Sequence, residues 1–342
     1  MKNLSLLLIG LFMIPMFLLT SCDRGEDVVV NSTPKFNTLK DYMVANNLDL
    51  DKILTSTDGI SFVVDAPALA TDVTAFLNTY YIIDVRSAAD FALGRVAGAK
   101  NVAFANILTD ATAAKAAGNT KDILVICYTG QTATYATALL RLYGFKNTRA
   151  LKWGMSGWNP TFDRYTAGTG NLVQGNTNWT NVATPPTPPS YDVPTITSTG
   201  TDGLAILKQR VEAVVAEGTK TVTPAAVVAN PNGFYLNNYK SATDYAGYGH
   251  FTTSYRIQPF TLALNNHLNI NSSPTAQVVT YCYTGQTSAV VTAFLRVMGY
   301  NAFSMNFGMN GLWNENPFWP APPAGNKWVV ASRAKSYPTV TN

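Results

Sequence analysis

The feature that most constrains this chain of 342 residues is that its central stretch is written twice. Asp122-Ile-Leu-Val-Ile-Cys127-Tyr-Thr-Gly-Gln-Thr132 returns as Gln277-Val-Val-Thr-Tyr-Cys282-Tyr-Thr-Gly-Gln-Thr287, with the two cysteines 155 positions apart. The next residue is Ala133 in one copy and Ser288 in the other. Leu139-Leu-Arg141-Leu-Tyr-Gly144 returns as Phe294-Leu-Arg296-Val-Met-Gly299. Upstream, Asp84-Val-Arg86-Ser-Ala-Ala-Asp90 is answered by Asn238-Tyr-Lys240-Ser-Ala-Thr-Asp244. Downstream, Trp153-Gly-Met-Ser-Gly-Trp158 is answered by Phe307-Gly-Met-Asn-Gly-Leu-Trp313. A repeat of this period is a whole domain rather than a solenoid unit, and the length suffices for two such cores.

Each copy reads as α/β. Tyr80 to Val85, Ile123 to Ile126 and Val278 to Tyr281 are short apolar runs bounded by turn formers, the pattern of buried strands. Thr132 to Tyr143 and Thr287 to Met298 carry apolar residues at helical spacing and run into Gly144 and Gly299, which suit helix C-caps. Strands alternating with helices predict two tandem domains, each a parallel sheet flanked by helices, with the chemistry beyond the carboxyl ends of the strands. Both cysteines fall there. The expected organisation is a signal segment over 1–21, a tether over 22–35, a first domain over 36–165, a Pro/Gly/Asn/Thr-rich extended linker over 166–199 and a second domain over 200–342.

Met1-Lys2 and the apolar run Leu4 to Leu19, broken by Pro15, read as a secretory signal rather than a span. The run ends Leu19-Thr-Ser-Cys22, which resembles the lipobox of bacterial lipoproteins. That resemblance implies lipid on Cys22 and an extracytoplasmic, membrane-anchored protein. The chain holds only two histidines, His250 and His267, and three cysteines. This inventory gives no zinc site at metal-ligand spacing, and no histidine-assisted nucleophile in the first two-thirds of the chain. The net charge is +4, with basic residues scattered and no stripe for nucleic acid.

The segment between strand and helix carries the chemistry. A short loop at a helix N-terminus turns several N–H groups inward and forms a nest for an anion. Gly130 and Gly285 permit that turn. The sulfur of Cys127 or Cys282 at its mouth is expected to have a lowered pKa and to act as a nucleophile without a base. Thr132 and Thr287 are placed to cap the helix or to hydrogen-bond the sulfur. Asp90 is placed to pair with Arg86. Arg141 and Arg296 recur on the following helix and point to a shared structural role. Inert packing, or a Cys127–Cys282 disulfide, are the alternatives for the thiols.

With these residues in view, the chain resembles the tandem-domain rhodaneses, or sulfurtransferases. Their loop is a cysteine followed by five residues, with glycine fourth and often threonine or serine sixth. Cys127-Tyr128-Thr129-Gly130-Gln131-Thr132 and Cys282-Tyr283-Thr284-Gly285-Gln286-Thr287 both match. Asp84-Val-Arg86 and Asp90-Phe91 resemble the family's strand-end motif, and Gly94-Arg-Val-Ala-Gly98-Ala99 its turn. The second copy departs, with Asn238 and Lys240 in place of Asp84 and Arg86. The resemblance implies a cysteine persulfide, a donor such as thiosulfate or 3-mercaptopyruvate, cyanide or a thiol as acceptor, and no cofactor or metal. Tyr and Thr after the cysteine argue against a strict thiosulfate specialist. A phosphatase of the same fold would need a longer loop closed by arginine, which neither copy has. A non-catalytic sulfur-carrier or binding module remains the other reading.

Overall fold

Residues 32–321 and 325–341 are described by a computed structural model. The signal segment and Cys22 lie outside the described residues. The first sheet has five strands: β1 (Val63–Val64), β2 (Tyr80–Asp84), β3 (Lys100–Asn101), β4 (Asp122–Ile126) and β5 (Arg149–Leu151). Their order is β1-β5-β4-β2-β3 and every pairing is parallel. After β6 (Trp179–Thr180), the second sheet is built from β7 (Thr221–Val222), β8 (Tyr235–Asn238), β10 (Val278–Tyr281) and β11 (Ala302–Met305), in the parallel order β7-β11-β10-β8. The two orders superpose element by element. The counterpart of β3 is reduced to a single parallel bridge between Asn237 and Tyr255. The architecture is thus α/β, with parallel sheets flanked by helices.

Alternation along β4 explains the layers. Ile123 and Val125 join a large core shared by both halves, while Leu124 and Ile126 face a separate core of the first half. In the second sheet Val278 joins the shared core, and Val279 and Tyr281 face a core of the second half. The helices Gln131–Tyr143 and Gln286–Val297 that follow the cysteine loops pack on each other inside the shared core. Both helices start and stop within a residue or so of expectation, and Gly144 ends the first in the left-handed region at φ 114°. Arg141 has its expected structural role. It is buried and donates to the carbonyls of Thr148, Ile53, Ile60 and Ser61.

Three boundaries differ from the sequence reading. The tether ends early, because a helix begins at Ser32 and runs to Ala45. Pro34 sits in its first turn, where a missing N–H costs nothing. Phe36, Leu39 and Met43 are completely buried at helical spacing against the helix Gly203–Glu217 of the other half. Each such side chain contributes about 1.5–3 kcal/mol relative to exposure. The linker is a strap rather than a free spacer. β6 pairs antiparallel with β9 (His250–Phe251), Trp179 packs edge-on against Phe251, and the Tyr191 amide donates to Leu268. Apart from the short turn of helix Thr166–Gly168 and β6, it has neither helix nor strand and is held by such contacts. Finally, the C-terminal segment returns to the first half. Lys335 and Tyr337 donate their amides to Gly157 and Trp158, the Trp158 indole donates to Pro338, and Val340 bridges Arg95.

Candidate active site

The loops at the ends of β4 and β10 are built alike. Gly130 and Gly285 lie at φ 81° and 78°, where a side chain would be strained, and each turns the chain into its helix. Gly154 and Gly308 approach the cysteine carbonyls so closely that a Cβ would stand 2.2 and 2.3 Å from them. The amides of Met155 and Met309 donate to the same carbonyls at 2.8 and 2.9 Å. The residues before these glycines, Trp153 and Phe307, are held at φ 64° and 60°. Large aromatic residues rarely adopt that conformation, and its recurrence marks a turn determined by its surroundings.

Both thiols are free and buried. Cys127 Sγ accepts hydrogen bonds from the amides of Gly130 at 3.2 Å and Ala133 at 3.4 Å, so the inward-pointing nest is present. Its acidity runs opposite to expectation. Burial pushes the Cys127 thiol up, and the backbone donors only partly oppose this. Cys127 belongs to the large core shared by both halves, and a separate cluster stands over the second loop. Trp153, Tyr165 and Trp328 form a buried aromatic cluster with Phe307, and the Tyr165 hydroxyl donates to the Thr284 carbonyl of the second loop at 3.0 Å.

Cys282 has a different set of partners. Its sulfur accepts from the Ser288 amide at 3.3 Å and lies 3.5 Å from the Ser288 hydroxyl. That hydroxyl is 2.8 Å from Ser304 Oγ. In the first half the matching positions are Ala133 and Ala150. The hydroxyl beside the sulfur is therefore Ser288 rather than a threonine. Neither Thr132 nor Thr287 caps its helix, which corrects the expectation, and in the second half the Gln286 amide donates to Thr284 Oγ1 at 3.2 Å. The Ala133/Ser288 difference was visible in the aligned loops; its pairing with Ser304 depends on the register of β10 on β11.

The supporting groups divide differently from expectation. Arg86 pairs with Asp84, not Asp90. Its Nη2 and Nε lie 2.7 and 3.0 Å from Asp84 Oδ2, and it also donates to the Gly94 carbonyl at 2.8 Å. From Asp90 it meets only the backbone oxygen. The Asp90 carboxylate instead accepts from the hydroxyls of Tyr128 and Ser87, both at 2.7 Å, and from Arg164 at 2.9 Å. Those hydrogen bonds hold its pKa below the ordinary carboxylate range. The second half repeats the Tyr–Asp–Ser group as Tyr283, Asp244 and Ser241. It does not repeat the ion pair. Lys240 is buried, donates only to the Gly249 carbonyl at 3.2 Å and faces the rings of Tyr248 and Tyr281. Burial pushes it down to about 7, against the opposing pull of Asp244 and Cys282. Asn238 donates to Tyr281, and its oxygen has no partner among the described residues. His250 stacks on Tyr245 at 3.6 Å with its nitrogens toward the carbonyls of Phe251 and Val182, as part of the strap.

Residues of the loops and their helices also reach across the molecule. Gln131 accepts from the Phe307 amide at 2.8 Å through Oε1 and donates to Thr129 Oγ1 at 3.0 Å. Gln286 donates to the Thr129 carbonyl at 3.1 Å, and the Thr134 hydroxyl donates to the Gln286 carbonyl at 3.1 Å. The two loops are thereby clasped to each other. Asp49, which no sequence signal singled out, joins the halves elsewhere by accepting from the amides of Leu50, Leu262 and Ala263.

The parallel sheet, with a cysteine in an amide-lined loop between strand and helix, defines the class. Residues 69–161 match the family model of the rhodanese-like domain. The chain is similar to a rhodanese-related protein from Thermoplasma volcanium at 22% identity and a TM-score of 0.23, covering 27% of this chain and 85% of that one. It is similar to a thiosulfate sulfurtransferase from Pseudomonas aeruginosa at 16% identity and a TM-score of 0.28, covering 86% of this chain and 50% of that one. A 3-mercaptopyruvate sulfurtransferase from Leishmania major is similar at 11% identity and a TM-score of 0.27, with 73% of each chain covered. No curated protein sequence matches this chain.

Proposed function

We propose that the protein is a sulfurtransferase working through a persulfide on Cys127, with Cys282 as a second, differently tuned thiol. The carrying observation is the pair of amides on the Cys127 sulfur, from Gly130 and Ala133. The Cys127 thiolate attacks the outer sulfur of a sulfane donor such as thiosulfate. The donor's S–S bond breaks, sulfite leaves with the electron pair, and the same donors hold the persulfide anion. Burial raises the thiol's pKa, so loading is expected to quicken as pH rises through 8 and 9. A thiophilic acceptor then removes the outer sulfur. Intact-mass spectrometry after exposure to thiosulfate or 3-mercaptopyruvate tests this, through a gain of about 32 Da per loaded cysteine. No gain, with a Cys127→Ser/Cys282→Ser variant equal to the parent in every transfer assay, rejects it.

The closed state of both sulfurs, 5% and 1% exposed, favours a second reading, a sulfur-carrying or binding module that opens only with a partner. Turnover with small donors separates the two. We further propose that lipid on Cys22 anchors the protein on the extracytoplasmic side of a bacterial membrane, a reading supported by Leu19-Thr-Ser-Cys22. Fatty-acid labelling that survives Cys22→Ala would reject it.

A further inference from the structure

The Tyr–Asp–Ser group beside each cysteine loop is built twice, and in the first half the chain sets two guanidinium groups against it. Arg86 faces the Tyr128 ring at 5.1 Å. Arg164 lies closer, 3.9 Å from the centre of the same ring, and its Nη2 donates to Asp90 Oδ1 at 2.9 Å. A phenol face and the carboxylate bonded to that phenol together hold one guanidinium by stacking and by a charged hydrogen bond. The second half keeps the same groups as Tyr283, Asp244 and Ser241, with both hydroxyls donating to Asp244 Oδ2.

Of the two cations, only Arg86 has a counterpart there. Lys240 takes its place, lies 5.1 Å from the Tyr248 ring, donates to the Gly249 carbonyl and acts on Asp244 only through space. Among the described residues no ion pair reaches Asp244. Arg164 is not repeated. Its amide donates to Ser156 Oγ at 3.0 Å, and the same contact on the aligned Asn310 is made by the Trp328 amide at 2.6 Å. The Trp328 ring turns into the cluster with Trp153 and Tyr165. Beside Asp244 and Tyr283 a cavity of about 290 Å³ opens instead, its wall including Tyr248, Trp319, Pro320 and Asn326, with no Lys or Arg among its described lining residues. The rings of Tyr248 and Trp319 meet edge to face at 4.5 Å, and Tyr248 meets Tyr283 in the same way at 5.8 Å. A carboxylate among aromatic walls favours a cation. The volume, equal to roughly ten waters, admits a guanidinium group on a short carbon chain.

We infer that this cavity is a binding site for a small molecule ending in a guanidinium group, which takes the place on Tyr283 and Asp244 that Arg164 takes on Tyr128 and Asp90. Tyr283 directly follows Cys282, so the ligand rests against the second sulfur loop. The inference needs no sulfur to move and does not depend on the sulfurtransfer reading.

Binding is measured by ligand-detected NMR on the full chain with no sulfur donor present. The probes are butylguanidinium, its neutral and nearly isosteric analogue butylurea, and tetramethylammonium, a cation without N–H donors. The expected result is binding of butylguanidinium at least about tenfold tighter than either of the others, with about tenfold lost in Asp244→Asn. Equal binding of butylguanidinium and butylurea, or unaltered affinity in Asp244→Asn, overturns the inference. Tetramethylammonium binding as tightly as butylguanidinium overturns it too, because such a site would read charge alone. Should Asp244→Asn fail to fold, Pro320→Lys, at an exposed position on the cavity wall, carries the comparison. It sets a like charge beside the ligand and is expected to weaken butylguanidinium while sparing butylurea. Weakening of both probes alike, or of neither, counts against the site.

Discussion

The two halves share a strand order, a loop and a Tyr–Asp–Ser group, yet they hold a buried cation in opposite ways. In the first half Arg86 lies against Asp84 and two backbone carbonyls, so charge, donors and geometry are all matched. In the second half Lys240 occupies the same place with one carbonyl and two aromatic rings. The sulfurs differ in parallel: amides alone serve Cys127, whereas an amide and a hydroxyl chain serve Cys282. A duplicated loop therefore does not imply a duplicated site. The helix start and the glycine turn are local and repeat, while the groups behind the sulfur come from neighbouring strands and have diverged.

The largest effect should appear in turnover. Cys127→Ser is expected to lower donor-driven sulfur transfer by about 100-fold or more, and Cys282→Ser by only a few-fold, because supporting groups that misplace a reacting atom by about 1 Å carry a penalty of that size. Steady-state rates over several donors check this, and the reverse ordering would break the comparison. Next comes stability. Arg86→Met strands the Asp84 carboxylate and is expected to cost about 3–5 kcal/mol in urea unfolding. Lys240→Met removes a cation that has no carboxylate and is expected to be neutral or stabilising.

A smaller effect concerns pH. Lys240 titrates near 7 when folded and near 10.4 when unfolded, so between these values the unfolded chain holds the extra proton. Stability should rise with pH across that window, and Lys240→Met should remove that part of the rise, read from unfolding midpoints at pH 7 and 9. The smallest effect is at the clasp. Gln286→Ala deletes one cross-loop hydrogen bond, expected to cost about 1 kcal/mol and to speed alkylation of Cys127 by a few-fold. An unchanged alkylation rate would show that the loops open independently.

The loop, its helix and the flanking strands were legible because each is encoded by neighbouring residues and confirmed by its repeat. The partner of Arg86 was not. Asp84 and Asp90 are both near it in sequence, and only the fold of the arginine back along its own strand end selects between them. The acidity of Cys127 was misread for a related reason. Its amide nest is local, but the core that buries it joins first-half residues such as Val125 and Ala136 to second-half residues such as Val290 and Phe294, and no periodicity connects those positions. The clasp between Gln131 and Gln286 was hidden in plain sight, since both glutamines were singled out but only as members of their own loops.

The return of residues 335–340 to the first half also bears on the order in which the molecule can be completed. Trp158 receives Pro338 and Tyr337 only after the whole second half has been made, so a ribosome or translocation channel releasing the chain from its N-terminus delivers the first domain's closing piece last. The N-terminal helix waits in the same way for its partner at Gly203–Glu217. An early fragment ending near Gly168 would carry Cys127 in its loop but lack the tail beside Trp158 and the second-half residues of the shared core. The core to which Cys127 belongs would then be half built during biogenesis, before the second half has packed onto it.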